Sequence, residues 1–288
     1  MNNVLLKTLK ISRCRIAIVP LVALGMISGC RRNTPSPPET NQPPPASLRE
    51  AQLLFQRPDG IYLATPFDGN TVQVTTNAAY PRWFPDGRRF AFIRRDRVML
   101  HDTADSSERE LFHSSQIRAV AVNRANSDVF IATASGTYRI ALGSGKTEPI
   151  PVGSPAYELS ACGPVLITTE RLPLRGFVIK RYSLATDGES ILLGRGCSAS
   201  LSPNGTRTTL NLSGHRELAL LDVRTGDTLA TLSAPPDTPL DNQYWSNHPE
   251  WITAVSHNGD IFLQRVRDAA CWQITSTGDA DRPDLFVP

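Results

Sequence analysis

The sequence predicts an all-β protein, a six-bladed β-propeller in which each blade contains four antiparallel strands. Three observations lead to this prediction. A unit of strands and turns, clearest at residues 80–102, recurs along the chain with a period of about 39 residues. Each unit has room for four short strands, and the two ends of the chain carry complementary parts of one unit. Repeats of this size and strand number are typical of propeller blades.

The defining unit reads YPRWFPDGRRFAFIRRDRVMLHD. Its first run, 80–84, is mostly apolar and meets the turn Pro85-Asp86-Gly87, in which proline presets φ, aspartate caps its own backbone and glycine tolerates a positive φ. Two runs rich in strand-forming residues follow at 89–93 and 97–101. The segment therefore predicts three consecutive antiparallel strands.

Four later segments repeat this order of strands. Their predicted strands are 117–122, 128–134 and 137–142; then 157–161, 164–169 and 177–184; then 197–202, 206–212 and 218–223; and finally 241–246, 250–255 and 260–266. A fourth run, such as 228–232 or 271–275, ends each unit. Pro85 and Pro203 occupy the same turn 118 residues apart, which is three periods of about 39.

The two ends predict how the ring closes. Residues 50–57, 61–66 and 71–76 read as the second, third and fourth strands of a blade that lacks its first strand. Residues 281–287 read as a first strand and would complete that blade. Closure removes the unpaired strand edges that otherwise promote aggregation. An open sandwich or barrel is the alternative, but neither predicts the period or the complementary ends.

These motifs resemble a known family. Residues 83–92, WFPDGRRFAF, resemble the W-S-P-D-G-x-x-I/L-A-F signature of TolB-type (WD-like) propeller repeats, and LSPNG at 201–205 is a looser copy. Residues 272–275 with 281–283 are similar to the family's L-T-x…P connection between blades. The resemblance covers about 49–288 and implies the propeller fold. This fold serves scaffolds, binding modules and enzymes alike, so the resemblance does not assign a function.

The N-terminus predicts export and lipidation. Four basic residues between Lys7 and Arg15 precede the apolar stretch 16–27, which suits the core of a signal peptide and is too short to span a bilayer. The stretch ends at Ile27-Ser28-Gly29-Cys30, which resembles the bacterial lipobox. We therefore expect a lipoprotein signal peptide at 1–29 and lipidation of Cys30 with acyl chains such as palmitate. An ordinary signal peptide or an uncleaved anchor is the alternative.

The resemblance to bacterial lipoproteins also implies a location. Arg31 follows the cysteine in place of the aspartate that would retain a lipoprotein in the inner membrane, so we expect an outer-membrane anchor facing the periplasm. Residues 30–48 are rich in proline and nearly free of apolar side chains, and we interpret them as an extended tether. Residues 49–288 form the propeller domain in this interpretation.

The charge of the chain argues against nucleic-acid binding. The whole sequence has 30 basic and 27 acidic residues, but removal of 1–29 takes away four basic residues and no acidic ones. The remaining chain is therefore close to neutral. A nucleic-acid-binding domain needs a clustered basic surface, which this composition does not favour.

Motifs for metals, cofactors and catalysis are weak. Cys162, Cys197 and Cys271 show no C-x-x-C spacing, and we expect them to be small buried apolar residues. The histidines lack H-x-x-H spacing, so no metal site is predicted. Asp279, Asp281 and Asp284 form a D-x-D-x-x-D string that suggests calcium, but the glycine and glutamate of an EF-hand loop are missing. We predict no cofactor and no catalytic residue.

Propeller geometry predicts where a ligand binds. The loops that join the outer strand of one blade to the inner strand of the next surround one mouth of the central channel. Aromatic residues, arginines and amides predicted at this mouth suit the recognition of a protein or peptide. The predicted mouth residues are Tyr80, Arg82, Gln116, Arg118, Tyr157, Glu158, Asp241, Gln243, Tyr244, Asp281 and Arg282.

These features favour a lipid-anchored, monomeric binding or scaffold propeller with a protein or peptide partner at the cell envelope. The alternative is an enzyme that uses the channel, such as a lactonase, a lyase or a glycan-active hydrolase. That alternative requires converging carboxylates or histidines on several inner strands. In the middle blades, Glu158 and Asp241 are the acids predicted near the mouth, and the sequence has no G-x-S-x-G motif, so we expect no enzymatic activity.

Overall fold

The structure is a computed structural model that describes residues 45–153, 155–186, 189–212 and 214–288. The predicted signal peptide, the lipidation site Cys30 and most of the tether lie outside these residues. The described end of the expected tether, Ala46–Leu48, forms a 3-10 helix, and Leu48 is fully buried against blades 1 and 6. The propeller therefore takes in residues before 49. In the described part of the chain, no helix has the length and apolarity needed to cross a bilayer.

The described residues form 23 β-strands. In chain order they are β1 (Gln52–Arg57), β2 (Gly60–Ala64), β3 (Thr71–Thr76), β4 (Ala79–Trp83), β5 (Arg89–Arg94), β6 (Arg97–Asp102), β7 (Glu108–His113), β8 (Ile117–Val122), β9 (Val129–Thr133), β10 (Thr137–Ala141), β11 (Lys146–Ile150), β12 (Ala156–Cys162), β13 (Val165–Leu172), β14 (Gly176–Ser183), β15 (Ser190–Arg195), β16 (Arg207–Asn211), β17 (Glu217–Asp222), β18 (Thr228–Ser233), β19 (Leu240–Trp245), β20 (Trp251–Ser256), β21 (Ile261–Arg265), β22 (Cys271–Gln273) and β23 (Asp281–Phe286).

The strands pair into six antiparallel sheets, which confirms the predicted six-bladed propeller. Blade 1 has the order β23-β1-β2-β3, so the C-terminal strand completes the N-terminal blade as predicted. Blades 2, 3, 4 and 6 consist of β4–β7, β8–β11, β12–β15 and β19–β22. Blade 5 contains β16–β18, with residues 197–202 in the inner position.

The inner segment of blade 5 differs from a regular strand. It meets β16 through isolated bridges, Cys197 to Asn211 and Leu201 to Thr208. Between these bridges the Thr209 hydroxyl donates to the Ser198 carbonyl at 2.6 Å and accepts the Ser200 N–H at 2.8 Å. A side chain therefore replaces part of the backbone ladder, which sequence alternation alone does not reveal.

Strand β23 holds the ring closed through two neighbours. It pairs with β1, where Leu285 lies opposite Leu53. It also contacts blade 2, because the Asp284 carboxylate accepts the Trp83 N–H at 2.8 Å. The turn glycine Gly87 has φ +62°, and a Cβ on it would lie 2.2 Å from the Phe286 ring. The turn that defines the repeat is thus also part of the closing contact.

The apolar core lies between neighbouring blades. Leu54 and Ile61 of blade 1 pack against Phe90 and Phe92 of blade 2. Comparable clusters join blades 2 to 4, blades 4 and 5, blades 5 and 6, and blades 6 and 1. Because both faces of a blade are covered, the middle strands read as nearly continuous apolar runs. This packing fixes the inner strands around the channel.

We expect deletion of residues 281–288 to abolish cooperative unfolding, because it exposes the edge of β1 and the faces of blades 1 and 6. The milder substitution Leu285→Ala should lower the free energy of unfolding by about 2–5 kcal/mol. Thermal and urea denaturation followed by circular dichroism measure both effects. Removal of Pro288 alone, which is exposed, is the matched control. A deletion variant that melts within about 2 °C of the parent would contradict this account of closure.

Candidate binding site at the channel mouth

A shared backbone feature positions the mouth side chains. Five of the six inner segments contain, at or near their start, a non-glycine residue with positive φ: Tyr80 (61°), Gln116 (59°), Ser198 (59°), Asn242 (48°) and Arg282 (51°). In β4, β8, β19 and β23 a β-bulge accompanies it. Left-handed conformations cost ordinary residues about 1 kcal/mol or more, and bulges redirect side chains. The inner strands are therefore bent where they meet the channel mouth.

The structure brings together six of the eleven predicted mouth residues. They line one small cavity, together with Leu159, Ala199 and Asn242. The six are Tyr80, Arg82, Glu158, Gln243, Tyr244 and Arg282. They come from blades 1, 2, 4 and 6, so the cluster lies where the inner strands converge.

Arginines and tyrosines stack in this cluster. The Arg82 guanidinium lies 3.8 Å from the centre of the Tyr244 ring and 4.6 Å from that of Tyr80, and Arg282 lies 4.7 Å from Tyr80. Buried contacts between a cation and an aromatic face contribute about 2 kcal/mol each. Burial raises the pKa of both tyrosines. Both hydroxyls therefore stay protonated at neutral pH.

One ion pair crosses the channel between opposite blades. Arg282 of blade 1 lies 3.3 Å from the Glu158 carboxylate of blade 4. Glu158 also accepts the Thr169 hydroxyl and the Ser198 N–H, each at 2.7 Å. Burial acts to lower the pKa of Arg282, but the electrostatic effects of Tyr80, Glu158 and Asp281 are larger together, so the pKa of Arg282 is raised. Arg282 is therefore a fixed cation that ties two sides of the ring together.

The centre of the mouth is nearly filled. The cavity there has a volume of about 10 Å³. Arg82 Nε and Gln243 Oε1 are buried beside it and have no hydrogen-bond partner within the described residues. A space of this size accommodates about one water molecule. The six side chains therefore nearly fill this space, and we call them the plug.

Asp241 and Asp281 have a local structural role. Each is followed by a residue with positive φ, whose N–H donates to the aspartate Oδ1: Asn242 at 2.8 Å and Arg282 at 2.7 Å. The Asn242 side chain also donates to Asp281 at 2.7 Å and so links blades 6 and 1. The two carboxylates stabilise the bends at the start of β19 and β23.

The remaining predicted residues lie at the rim. The Arg118 guanidinium covers the Tyr157 ring at 4.8 Å, and Tyr157 meets Phe177 edge to face at 5.4 Å. Gln116 is exposed, and its carbonyl accepts the Ala134 N–H. Tyr157, Phe177 and Leu174 are all exposed, Leu174 completely. We call Arg118, Tyr157, Leu174 and Phe177 the rim patch.

Sequence reasoning missed Phe177 and Leu174. Strands β13 and β14 have eight residues each, and their hairpin extends beyond Ala156 at the start of β12. Leu172 and Leu174 next to this turn were the available signal, because apolar residues are unusual at an exposed hairpin tip.

A larger cavity of about 230 Å³ lies at the opposite end of the inner strands. Trp83, Phe84, Pro85, Tyr244 and Asp284 are among its lining residues. Arg124 reaches into it from blade 3 and donates to the carbonyls of Leu201 and Trp245 in blades 5 and 6. We did not predict a cavity at this end, because the role of the Pro85 turn in joining two strands already explained its sequence.

Asp284 is the acid of this cavity. It is almost fully buried, and burial raises its pKa to about 6 despite the nearby cations Arg82 and Arg124. The carboxyl group therefore changes charge near neutral pH. Asp279 and Asp281 have other partners, Arg57 at 3.2 Å and Asn242 at 2.7 Å. The three aspartates of the string thus lie in separate environments.

The cysteines differ from one another. Cys162 and Cys271 are buried, as predicted, but Cys197 is partly exposed and lies 3.9 Å from Asp241. The prediction of a buried apolar role is therefore wrong for Cys197. Burial and the carboxylates of Asp241 and Glu158 raise the pKa of Cys197 to about 12, which does not suit a nucleophile. Within the described residues, Cys197, His215 and Asp241 form a group with the composition of a metal site.

The comparisons with known proteins agree on fold. No protein-family model matches the chain, and no curated protein matches it. TolB from Acinetobacter baumannii is similar in structure, with a TM-score of 0.63 and 15% identity over 82% of this chain and 66% of the TolB chain. A chain of a nidogen/laminin complex has a TM-score of 0.64 and 6% identity, over 82% and 98% of the chains. Hsv2 from Kluyveromyces lactis has a TM-score of 0.52 and 12% identity, over 76% and 72%. Such identities establish the propeller fold alone.

We predict a pH-dependent effect of Asp284→Asn. The folded pKa of about 6 exceeds the ordinary 3.8, so the native state holds its proton more tightly and loses about 3 kcal/mol of stability as pH rises from about 4 to above 6. The asparagine keeps an acceptor for Trp83 and has no charge. Urea unfolding at pH 4 to 7 should therefore show that the free energy of unfolding of the variant rises relative to that of the parent as pH increases.

Asp86→Asn is the matched control. Burial acts to raise the pKa of Asp86, but hydrogen bonds from Arg89 and Arg88 have the larger effect and lower it. The parent therefore gains stability as pH rises through the acidic range, and the free energy of unfolding of this variant should fall relative to that of the parent. Parallel stability profiles for Asp284→Asn and the parent would show that Asp284 does not titrate as described.

Proposed function

We propose that this chain is a lipid-anchored binding propeller of the bacterial cell envelope, which recognises a protein or peptide through the rim patch. The observation that carries the proposal is the set of exposed side chains Tyr157, Leu174 and Phe177, with the half-buried Arg118 stacked on Tyr157, beside a nearly filled channel mouth. Aromatic residues and arginine dominate the energetics of protein interfaces. Three of the four residues, Arg118, Tyr157 and Phe177, lie on strands of the propeller, so binding requires little ordering of the chain.

The filled mouth also bears on the alternative of a channel enzyme. Glu158 is engaged by Arg282, Thr169 and Ser198, and the cavity beside it measures about 10 Å³. A hydrolase or lyase needs room for substrate beside converging acids or bases. A binding surface at the rim has no such requirement. At this end of the channel we therefore favour a binding surface over a catalytic site.

The similar structures are compatible with this proposal. One comes from a nidogen/laminin complex, in which a propeller of this shape occurs together with a protein partner. TolB shares the fold over 66% of its own length. Neither similarity identifies the partner of this chain. Our proposal of a protein or peptide partner depends on the rim patch, with the near-neutral charge disfavouring nucleic acid.

The location is part of the proposal and depends on the N-terminal sequence. Lys7 to Arg15, the apolar stretch 16–27 and Cys30 support export and lipidation, and Arg31 supports transfer to the outer membrane. The Pro-rich residues that follow would hold a monomeric propeller away from the bilayer on its periplasmic side.

We expect Cys30→Ser to release the protein from the membrane fraction, because the thiol that accepts the diacylglycerol is lost. Fractionation and incorporation of labelled palmitate measure this. Cys14→Ser is the matched control, since Cys14 lies within the expected signal peptide and should leave anchoring unchanged. Membrane retention and labelling that persist in Cys30→Ser would refute the lipid anchor.

We expect a photo-crosslinking residue at Phe177 to capture a specific envelope protein in intact cells. The same residue at Leu229, another exposed apolar position, on β18, is the control. Tyr157→Ala in the Phe177 crosslinker background should reduce the yield at least about fivefold, because loss of an interface aromatic commonly costs more than 1 kcal/mol. Equal products at both positions, or a yield unaffected by Tyr157→Ala, would contradict the rim patch as the binding surface.

A further inference from the structure

We propose that Cys197, His215 and Asp241 form a zinc(II) site at the edge of the mouth, between blades 5 and 6, with a fourth coordination position open to solvent. The three residues come from the start of the inner segment of blade 5, the hairpin between β16 and β17, and β19. All three are partly exposed, so an ion can reach them. This site is distinct from the rim patch and from the plug.

The ligand atoms have nearly the spacing that zinc requires. Each residue offers one atom, and these atoms all lie within 4.8 Å of one another. His215 Nδ1 lies 3.5 Å from Asp241 Oδ2, and Cys197 Sγ lies 3.9 Å from Asp241 Oδ1. Tetrahedral zinc with bonds of about 2.0–2.3 Å places such ligands about 3.4–3.6 Å apart. The two contacts of Asp241 need a contraction of at most a few tenths of an ångström, and the Cys197 and His215 atoms, which lie within 4.8 Å of each other, need one of up to about 1.3 Å.

Neighbouring groups orient the ligands. Ser198 Oγ donates to Asp241 Oδ1 at 2.8 Å, which fixes the carboxylate. Asn211 Nδ2 lies 3.2 Å from His215 Nδ1 and 3.3 Å from Asp241 Oδ1, so both acceptors face the same space. A partner such as Ser198 is of the kind that holds ligands in place in known metal sites. The Asn211 amide contacts the atoms that the ion would contact, so a bound ion would replace these two hydrogen bonds.

The donor set selects the metal. One sulfur, one imidazole nitrogen and one carboxylate oxygen suit zinc, whereas calcium and magnesium take oxygen ligands. Binding forms a Zn–S bond as the Cys197 thiol releases one proton to solvent, with no change of oxidation state. The ion would also offset the negative charge that Asp241 and Glu158 bring to this edge. The His257 ring lies 5.6 Å from that of His215.

Cobalt(II) titration of the full chain tests the proposal, because cobalt replaces zinc and reports thiolate ligation by an intense near-ultraviolet charge-transfer band. We expect one equivalent to produce this band together with visible bands of tetrahedral coordination, and zinc to displace it. Cys197→Ser should remove the charge-transfer band. His215→Ala, in an exposed hairpin, should weaken binding at least about tenfold while leaving the fold intact by circular dichroism.

Two matched controls should bind like the parent. Cys162→Ala removes another thiol from an inner strand, and His113→Ala removes an exposed histidine paired with Asp96 at 2.7 Å. Lack of a charge-transfer band in the parent would overturn the site. So would a band that survives Cys197→Ser, or a loss of binding in His113→Ala equal to that in His215→Ala. None of these outcomes bears on the rim patch, which the crosslinking experiment tests separately.

Discussion

Every blade depends on the pairing of β23 with β1, because a propeller has no free sheet edge only when its ring is closed. That pairing joins residues more than 220 positions apart, such as Leu53 and Leu285. It also places the Asp284 carboxylate within hydrogen-bond distance of the Trp83 N–H and the Phe286 ring against Gly87. Closure and the repeat motif are therefore one structural unit. The channel, its plug and the rim all take their positions from a ring whose two ends meet in blade 1.

Much of the fold was predictable because short sequence patterns determine its turns and strands. Turns such as Pro85-Asp86-Gly87 and runs of strand formers mark each blade, and the predicted closing strand 281–287 differs by one residue from Asp281–Phe286. The inner segment of blade 5 was predicted as an ordinary strand, since the turn that follows it, Pro203-Asn204-Gly205, resembles the turn after β4. Its bridges by the Thr209 hydroxyl depend on a contact across two strands that no local pattern encodes.

The site was harder to predict, although the structure brings six of the predicted mouth residues together. Sequence position shows which residues come near the mouth, but not whether they face a partner or one another. Arg282 and Glu158 are 124 residues apart, and their contact across the channel follows from the diameter of the ring. Cys197, His215 and Asp241 converge in the same way, from spacings that match no metal motif. Phe177 lies at the rim because the hairpin that carries it is long.

The interrupted ladder of blade 5 also changes what hydrogen exchange in this blade depends on. The N–H groups of residues 198–201 donate to side chains of Glu158, Thr169, Thr209 and Ser160. Their amide hydrogens exchange with solvent when these side-chain contacts open, whereas exchange in the continuous ladders of blades 2 and 4 requires two strands to separate. Cys197, one of the proposed zinc ligands, lies at the start of this segment, so a bound ion would slow exchange there.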